Sequence, residues 1–472
     1  MRGVLAAALL LVLAGCASAP EPRAPAAASQ PAPRVSAAEV VRDGDTWTVE
    51  FRFSRASPAW LFGHSSVMRD NGRPWRPSSW TVETPGVRIE RRGRHDVMFA
   101  ESGDVPPVVR VRFTPVSADL VAEYDPALIF SDGSVALWSG HFFLRPVASV
   151  AAAEALPLDL NGVSFPGDGA QATFRDQAGR VLHVGQRFDS ATLIEARSYV
   201  LFGPLQPVTS DDIAAVIDPA LPTWLKRELS VSTPAIMGRL AEALGPHGGA
   251  KPSLLVSWRG PTQGLSSMGG SVLAGQISMT FEGSGVVEEN DELRAGARWF
   301  IAHEGAHFWL GGAVRYEYAR DSWIMEGGAD LLAARAIAAI DPAFNATRML
   351  QNSVNECVGF ATRPVEQAGD RGENRAYYVC GAVFGMIAES ASRRPYSHFV
   401  RTLIDANRSD GILTRAEWLA ALDQVSRDPT LSRDIGTMLS SGVADPKAML
   451  ASLFTRAGIR FTPGEDGVPR LQ

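Results

Sequence analysis

Two histidines and a glutamate in the segment "FIAHEGAHFWLGG" could bind a metal ion and use it. His303 and His307 are four residues apart, and Glu304 directly follows the first of them. On a helix, residues four apart lie on one face, about 6 Å apart along the axis, so both imidazoles can reach one ion. Zinc takes such ligands, and a glutamate beside it can accept a proton from water. The spacing alone also fits two histidines that share one face of a buried helix.

A third ligand is available further along the chain, in the segment "DSWIMEGGAD". Glu326 follows His307 with eighteen residues between them, enough to finish one helix, turn and begin an antiparallel one. Its carboxylate would complete a set of three protein ligands and leave the fourth zinc position for water. Asp330, one helical turn beyond, could accept the second ring N–H of a ligand histidine. The alternative for Glu326 is an exposed carboxylate at a helix start, where the helix dipole favours it.

The two segments together resemble those of the gluzincin zinc metallopeptidases of the aminopeptidase N type. That family has HExxH, then eighteen residues, then a glutamate within W-x-x-E-G-x-A, and often a tryptophan and a glycine just after HExxH. The matching residues around the ligands are Trp309, Gly311, Trp323, Gly327 and Ala329. The resemblance covers roughly residues 260–390. It implies one zinc ion per chain, held by His303, His307 and Glu326, with Glu304 as general base in the hydrolysis of a peptide substrate.

The resemblance also implies a catalytic tyrosine at the start of a later helix, within a Y-x-K-G motif. The segment "YYVCG" matches with Tyr378 and Gly381, although Cys380 stands in the place of the lysine. Tyr378 would hydrogen-bond the oxyanion that forms after attack on the peptide carbonyl. Its neighbour Tyr377 is the alternative residue for this role.

One element of the family pattern is missing. The strand motif G-x-M-E-N, whose glutamate holds the free α-amine of the substrate, corresponds to "SSMGGSVLAG", with Met268 in place but Gly269 where the glutamate belongs. Gly269 and Gly270 in a flat strand would let a substrate backbone approach closely. We therefore expect a complete hydrolytic centre without an evident amine anchor, as an exopeptidase or an endopeptidase. The alternative is a non-catalytic protein that binds peptides or proteins with a peptidase-like fold.

The elements that must position these residues follow from the period of the apolar residues. Residues 36–205 contain many short alternating segments such as "TWTVEFRF", which predict an all-β, sandwich-like domain. The period then becomes helical, which predicts a mainly helical domain over 206–395, further helices over 396–460 and a polar tail over 461–472. The resemblance implies that the domain over 206–395 is a thermolysin-like catalytic domain. The predicted fold is therefore a multidomain α+β fold.

The sequence predicts the boundaries of two helices in this domain. Residues 221–249 predict a helix with an interruption near Pro234 and an end at two glycines. The helix of the histidine motif should begin at Asn290, a good N-cap, and end before Gly311.

Charge and cysteine content limit the partners and the compartment. The net charge is −6 over 472 residues, which gives no support for a nucleic-acid partner. Only Cys357 and Cys380 follow Cys16, so an exported protein could form one disulfide or keep two buried thiols.

The first residues predict export and lipidation. Residues 1–15 read as a signal peptide, because the apolar run after Arg2 is too short for a transmembrane helix. "LAGC" resembles the lipobox of bacterial lipoproteins, which implies acylation of Cys16, and residues 16–35 are an Ala/Pro-rich tether. In the lipoproteins that this segment resembles, an aspartate after the cysteine is the usual signal for retention in the inner membrane, so Ala17 favours the outer membrane of the cell envelope. The alternative is an ordinary secretory signal.

Replacing the lipidated cysteine tests this anchor. Cys16→Ala should release the protein from membranes, because acylation supplies the anchor. The measurement is the distribution of the protein between membrane and soluble fractions, and persistent membrane association of the variant would contradict the lipoprotein hypothesis.

Overall fold

The computed structural model describes residues 35–121, 123–157, 160, 163–167, 169–247 and 249–472. The predicted signal peptide, Cys16 and the tether up to residue 34 lie outside the described residues. Within the described ranges, no helix is both long enough and apolar enough to cross a membrane.

The first half of the described chain is built from strands. They are β1 (Val35–Asp43), β2 (Thr46–Arg52), β3 (Ala59–Phe62), β4 (Trp80–Val82), β5 (Val87–Arg92), β6 (His95–Ala100), β7 (Val108–Phe113), β8 (Ala127–Ile129), β9 (Val135–Trp138), β10 (Leu144–Val147), β11 (Gly169–Asp176), β12 (Val181–His183), β13 (Gln186–Phe188), β14 (Ala191–Ile194) and β15 (Tyr199–Phe202). Their sheets have the orders β14-β11-β1-β2-β7-β4, β10-β3-β6-β5 and β13-β12-β15-β9-β8.

Alternation of apolar and polar residues explains these sheets. In β2, Trp47, Val49 and Phe51 are buried while the residues between them are more exposed. These side chains enter one core that also receives residues from the other two sheets, such as Phe62 and Phe202. The N-terminal half is therefore a layered β domain, as the period-two segments predict.

A further sheet stands between the β domain and the helices. Its strands are β16 (Val208–Thr209), β17 (Ala214–Ile217), β18 (Ser253–Trp258), β19 (Ser267–Leu273) and β20 (Gln276–Glu282). The order is β16-β17-β18-β20-β19, with β17, β18 and β20 parallel and β19 antiparallel at the edge. The strand with Gly269 and Gly270 is therefore an edge strand.

The second half of the chain is mainly helical. The helices, including two short ones in the β domain, are α1 (Arg76–Ser79), α2 (Val150–Glu154), α3 (Thr223–Leu244), α4 (Asp291–Ala306), α5 (Trp323–Ile340), α6 (Ala346–Phe360), α7 (Arg375–Ser392), α8 (Tyr396–Ala406), α9 (Arg415–Ser426), α10 (Pro429–Ser440) and α11 (Pro446–Ala457). Short strands β21 (Arg315–Tyr316) and β22 (Ile412–Leu413) pair in parallel. This confirms the predicted order of a β domain followed by a helical part.

Helix α3 corrects one prediction. It runs through Pro234 without interruption and ends at Leu244, with Gly245 as its C-cap, rather than at Gly248 and Gly249. A proline in a helix interior costs about 3 kcal/mol. Buried side chains on both sides of the proline, including Leu229 and Ile236, each contribute roughly 1.5–3 kcal/mol and offset that cost.

Two glycines bring helices α5 and α7 into close contact. A Cβ atom on Gly327 would lie 2.2 Å from the carbonyl carbon of Gly381, and one on Gly381 would lie 2.2 Å from the carbonyl oxygen of Trp323. Larger residues would therefore force the helices apart. Next to this contact, a disulfide joins Cys357 of α6 to Cys380 of α7, and both cysteines are fully buried.

The last residues form a hairpin rather than the predicted polar tail. Strands β23 (Phe461–Pro463) and β24 (Pro469–Leu471) pair across a glycine-containing turn. The side chain of Gln351 on α6 accepts a hydrogen bond from the N–H of Leu471 (2.7 Å), and Val468 is buried. The polar composition of this segment suggested a tail, but it belongs to a turn, and the residues on either side of that turn pack on the helices.

Candidate active site

Helix α4 presents the histidine motif at its C-terminal end. The Asn290 side chain accepts a hydrogen bond from the N–H of Leu293 (3.0 Å) and caps the N-terminus, as predicted. The apolar side of the helix packs into the core through residues such as Ile301. His303 and Glu304 then lie in the last turns, and His307 is the C-cap residue.

The structure brings the three expected ligands together. Oε2 of Glu326 is 3.4 Å from Nε2 of His303 and 3.4 Å from Nε2 of His307. The two Nε2 atoms are 3.2 Å apart. Among the described residues, this is the one group of three histidine, cysteine or acidic side chains whose ligand atoms all lie within 4.8 Å of one another.

The partners of the two imidazoles fix which nitrogen carries the proton. Nδ1 of His303 is 2.9 Å from Oδ1 of Asp330, which is buried. Nδ1 of His307 is 2.9 Å from the carbonyl oxygen of Leu310. A carbonyl or carboxylate oxygen only accepts, so both Nδ1 atoms must be donors. In the neutral rings, both Nε2 atoms are therefore lone-pair acceptors.

Three acceptors facing one point require a cation. Two imidazole lone pairs and a carboxylate oxygen repel one another unless a proton or a metal ion lies between them. Two nitrogens and one carboxylate oxygen are the ligand set of catalytic zinc, and Asp330 supplies the outer hydrogen bond that such a histidine usually makes. The residues present therefore fit a zinc ion.

The electrostatics of the site reflect this concentration of charge. Burial lowers the pKa of His303, but the carboxylates of Asp330 and Glu326 outweigh it and raise that pKa to about 10. Burial raises the pKa of Glu326, yet the two histidines bring it below its ordinary value. Burial also raises the pKa of Glu304, which makes its carboxylate a stronger base and so a better proton acceptor.

The structure separates the two neighbouring tyrosines. The ring of Tyr378 stacks on the imidazole of His303, with 5.6 Å between ring centroids. Burial and the Glu326 carboxylate raise the pKa of its hydroxyl, which stays protonated near neutral pH. Tyr377 points elsewhere, because its hydroxyl accepts from the N–H of Gly369 and donates to the carbonyl of Glu366.

Three nearby groups were not anticipated from the sequence. The sequence could not indicate the carbonyl of Leu310, because every residue has a backbone carbonyl. Trp299 lies against His303 (5.2 Å between ring centroids), at the helical spacing i, i+4, which could have indicated it. Tyr316 is half-buried. Its burial, and to a smaller extent the Glu326 carboxylate, raises the pKa of the Tyr316 hydroxyl.

Edge strand β19 lies over the face of α4 that carries the motif. A Cβ atom on Gly270 would come within 2.8 Å of the Phe300 ring and 2.1 Å of the carbonyl oxygen of Ser278. Phe300 is four residues before Glu304 and seven before His307, so the three share one helix face. The glycine therefore allows the strand to approach the site.

Gly269 points to the opposite face of the sheet from Gly270. A Cβ atom on it would meet nothing within 4 Å. The space in front of it belongs to a cavity of about 500 Å³ that is also lined by β-domain residues Asp119, Leu120, Glu123, Tyr124, Asp125 and Tyr199. The larger cleft of about 960 Å³ between α3, α4, α5 and α6 is not lined by the proposed ligands.

The fold is similar to that of a solved structure from the aminopeptidase N family. No family model and no curated protein sequence matches the chain. An aminopeptidase N family protein from Idiomarina loihiensis superimposes with a TM-score of 0.60 and 12% identity, over 89% of this chain and 78% of that one. The chain has the fold of an aminopeptidase N family protein. This agrees with the predicted β domain followed by a thermolysin-like helical domain.

Two further solved structures are more distant. Leukotriene A4 hydrolase from Saccharomyces cerevisiae has a TM-score of 0.48 and 14% identity, over 87% of this chain and 68% of that chain. An M1 zinc metallopeptidase from Deinococcus radiodurans has a TM-score of 0.44 and 16% identity, over 87% of this chain and 93% of that chain.

Proposed function

We propose that this protein is a zinc-dependent metallopeptidase, exported and anchored to the cell envelope through a lipid on Cys16. The observation that carries the proposal is the convergence of His303, His307 and Glu326 on one point, with the Nδ1 atoms of both histidines already engaged elsewhere. Glu304 and Tyr378 stand beside that set. The fold is consistent with the proposal.

The chain's own residues account for proton transfer at the site. A zinc ion bound there would lower the pKa of a water molecule and polarise the substrate carbonyl. Glu304 accepts the proton of that water as it attacks, and then delivers it to the leaving amine. Its raised pKa makes this carboxylate a stronger proton acceptor. Asp330 holds the ring of His303 in one orientation throughout.

Tyr378 stabilises the charge that develops on the carbonyl oxygen. Its pKa is raised, so the hydroxyl keeps its proton and can donate a hydrogen bond to an oxyanion. The donor faces a full negative charge only after attack, so it favours the transition state over the bound substrate.

The substrate would pair with the free edge of β19. Val272 and the residues two apart from it, Gly270 and Met268, direct their main-chain groups away from β20, as the bond from the Tyr124 hydroxyl to the Val272 carbonyl indicates (3.3 Å). An extended peptide can add to such an edge through main-chain hydrogen bonds. This pairing would bring a peptide bond of the substrate toward the helix face that carries Glu304.

Removing the general base tests the proposed reaction. Glu304→Gln should bind zinc like the wild type and lose about 10²- to 10⁴-fold in turnover, because an amide cannot accept the proton of water. Peptide hydrolysis and metal content are both measured. Glu292→Gln, in the exposed first turn of the same helix, is the matched control and should leave turnover unchanged. Turnover of Glu304→Gln within tenfold of wild type would overturn the assignment. Peptide binding without turnover in the wild type would favour the non-catalytic alternative.

The tyrosine pair supplies a second, internally controlled test. Tyr378→Phe should lower kcat by about 10²- to 10³-fold with little change in KM, as expected for loss of an oxyanion donor. Tyr377→Phe should leave kcat near wild type and lower the free energy of unfolding by about 1 kcal/mol, because it removes two hydrogen bonds far from the reaction. Steady-state kinetics and thermal unfolding distinguish them, and an equal loss of kcat in Tyr377→Phe would move the role to that residue.

A further inference from the structure

The cavity in front of Gly269 is a built feature of the fold. It holds about 500 Å³, within the range of pockets that bury small ligands. One wall is the face of β19 and β20 that carries Gly269, Ser271 and Thr280, and the other is the β-domain loop with Glu123 and Asp125. Both walls are polar.

Hydrogen bonds fix the loop beside the edge strand. The Tyr124 hydroxyl donates to the carbonyl of Val272 (3.3 Å), and the Tyr199 hydroxyl donates to the carbonyl of Asp125 (2.9 Å). The loop therefore closes the end of β19 near Val272 and leaves the cavity open in front of Gly269.

The acidic side chains of the cavity are already engaged. Oε2 of Glu123 is 2.7 Å from Nδ1 of His64, and its Oε1 accepts from the N–H of Tyr124. Asp125 pairs with Arg259 (2.5 Å). The third, Asp119, pairs with Arg69 at 3.0 Å. Because each of these carboxylates already has a partner, it would hold a substrate ammonium less strongly than a carboxylate without one.

The backbone at this position does not demand glycine. Gly269 has no positive φ and a side chain there would meet open space, whereas Gly270 is constrained by Ser278 and Phe300. A residue with a carboxylate could therefore stand at position 269. The chain instead leaves the space free.

A peptide paired with β19 would use both faces of the sheet. Successive side chains of an added strand point alternately to the two faces. One set would lie on the face of α4 with Glu304, and the other would enter the cavity beside Gly269. The cavity thus adjoins the path of the substrate, on the side where an amine anchor is missing.

We infer that this cavity receives substrate residues N-terminal to the cleaved bond, so that the protein hydrolyses peptides whose chain is extended or blocked at that end. The inference rests on the proposed peptidase function and names its substrate class. Selection comes from the space of the cavity, whose carboxylates already have partners, rather than from capture of a free α-amine.

The first test compares matched peptides with the full-length, zinc-loaded protein. Several peptides are assayed for kcat/KM with a free and with an acetylated N-terminus at one pH. Acetylation should reduce kcat/KM less than tenfold. A tenfold or greater loss would overturn the inference and show an amine anchor elsewhere, whereas the absence of zinc-dependent hydrolysis of every peptide would instead overturn the proposed peptidase function.

Two substitutions at position 269 distinguish the effect of an added charge from the effect of filling the cavity. Gly269→Glu should raise the preference for a free amine over an acetylated one by about ten- to a hundredfold relative to wild type, because it adds a carboxylate without a partner. Gly269→Gln fills the same volume without charge. The Gly269→Gln variant should lower kcat/KM for acetylated and extended peptides. Its preference for a free amine should stay smaller than that of Gly269→Glu.

Unchanged cleavage of extended peptides in both variants would show that the cavity is not on the substrate path and would overturn the inference. The zinc content and thermal unfolding of both variants should match the wild type, since a side chain at this position meets open space.

Discussion

The repulsion among three converging acceptors is the constraint on which the site depends. Each imidazole has its Nδ1 proton committed to a fixed oxygen, so the Nε2 lone pairs and the Glu326 carboxylate must face one another. Burial in the helical core makes this arrangement costly without a positive charge between the groups. Without a metal, a proton on His303 relieves that cost, as its raised pKa reflects, and the proposed zinc ion would relieve it in the same way.

Helix packing keeps the ligands and the tyrosine in reach of each other. Gly327 and Gly381 let the backbones of α5 and α7 touch, and these helices bring Glu326 to Nε2 of His303 and the ring of Tyr378 onto the His303 imidazole. The disulfide at Cys380 adds a covalent link from α7 to α6. Glycines that only permit close approach thus position the residues for which we propose catalytic roles.

The features predicted correctly from the sequence are those that helix periodicity and residue type determine. The four-residue spacing of His303 and His307 fixed a shared face, and the following segment predicted the helix with Glu326. Contacts that join distant segments left no such pattern. The carbonyl of Leu310 and the loop around Tyr124, which closes the edge strand, depend on tertiary packing. The hairpin at the C-terminus was missed because its polar turn resembles a tail.

The most direct test of the account is zinc titration of the metal-free protein, with bound metal and peptide hydrolysis followed together. The account predicts that both rise in parallel and saturate at about one zinc per chain. A His303→Ala/Glu326→Ala double variant should show neither. Hydrolysis that persists without metal, or one bound zinc per chain without hydrolysis of any peptide, would contradict it.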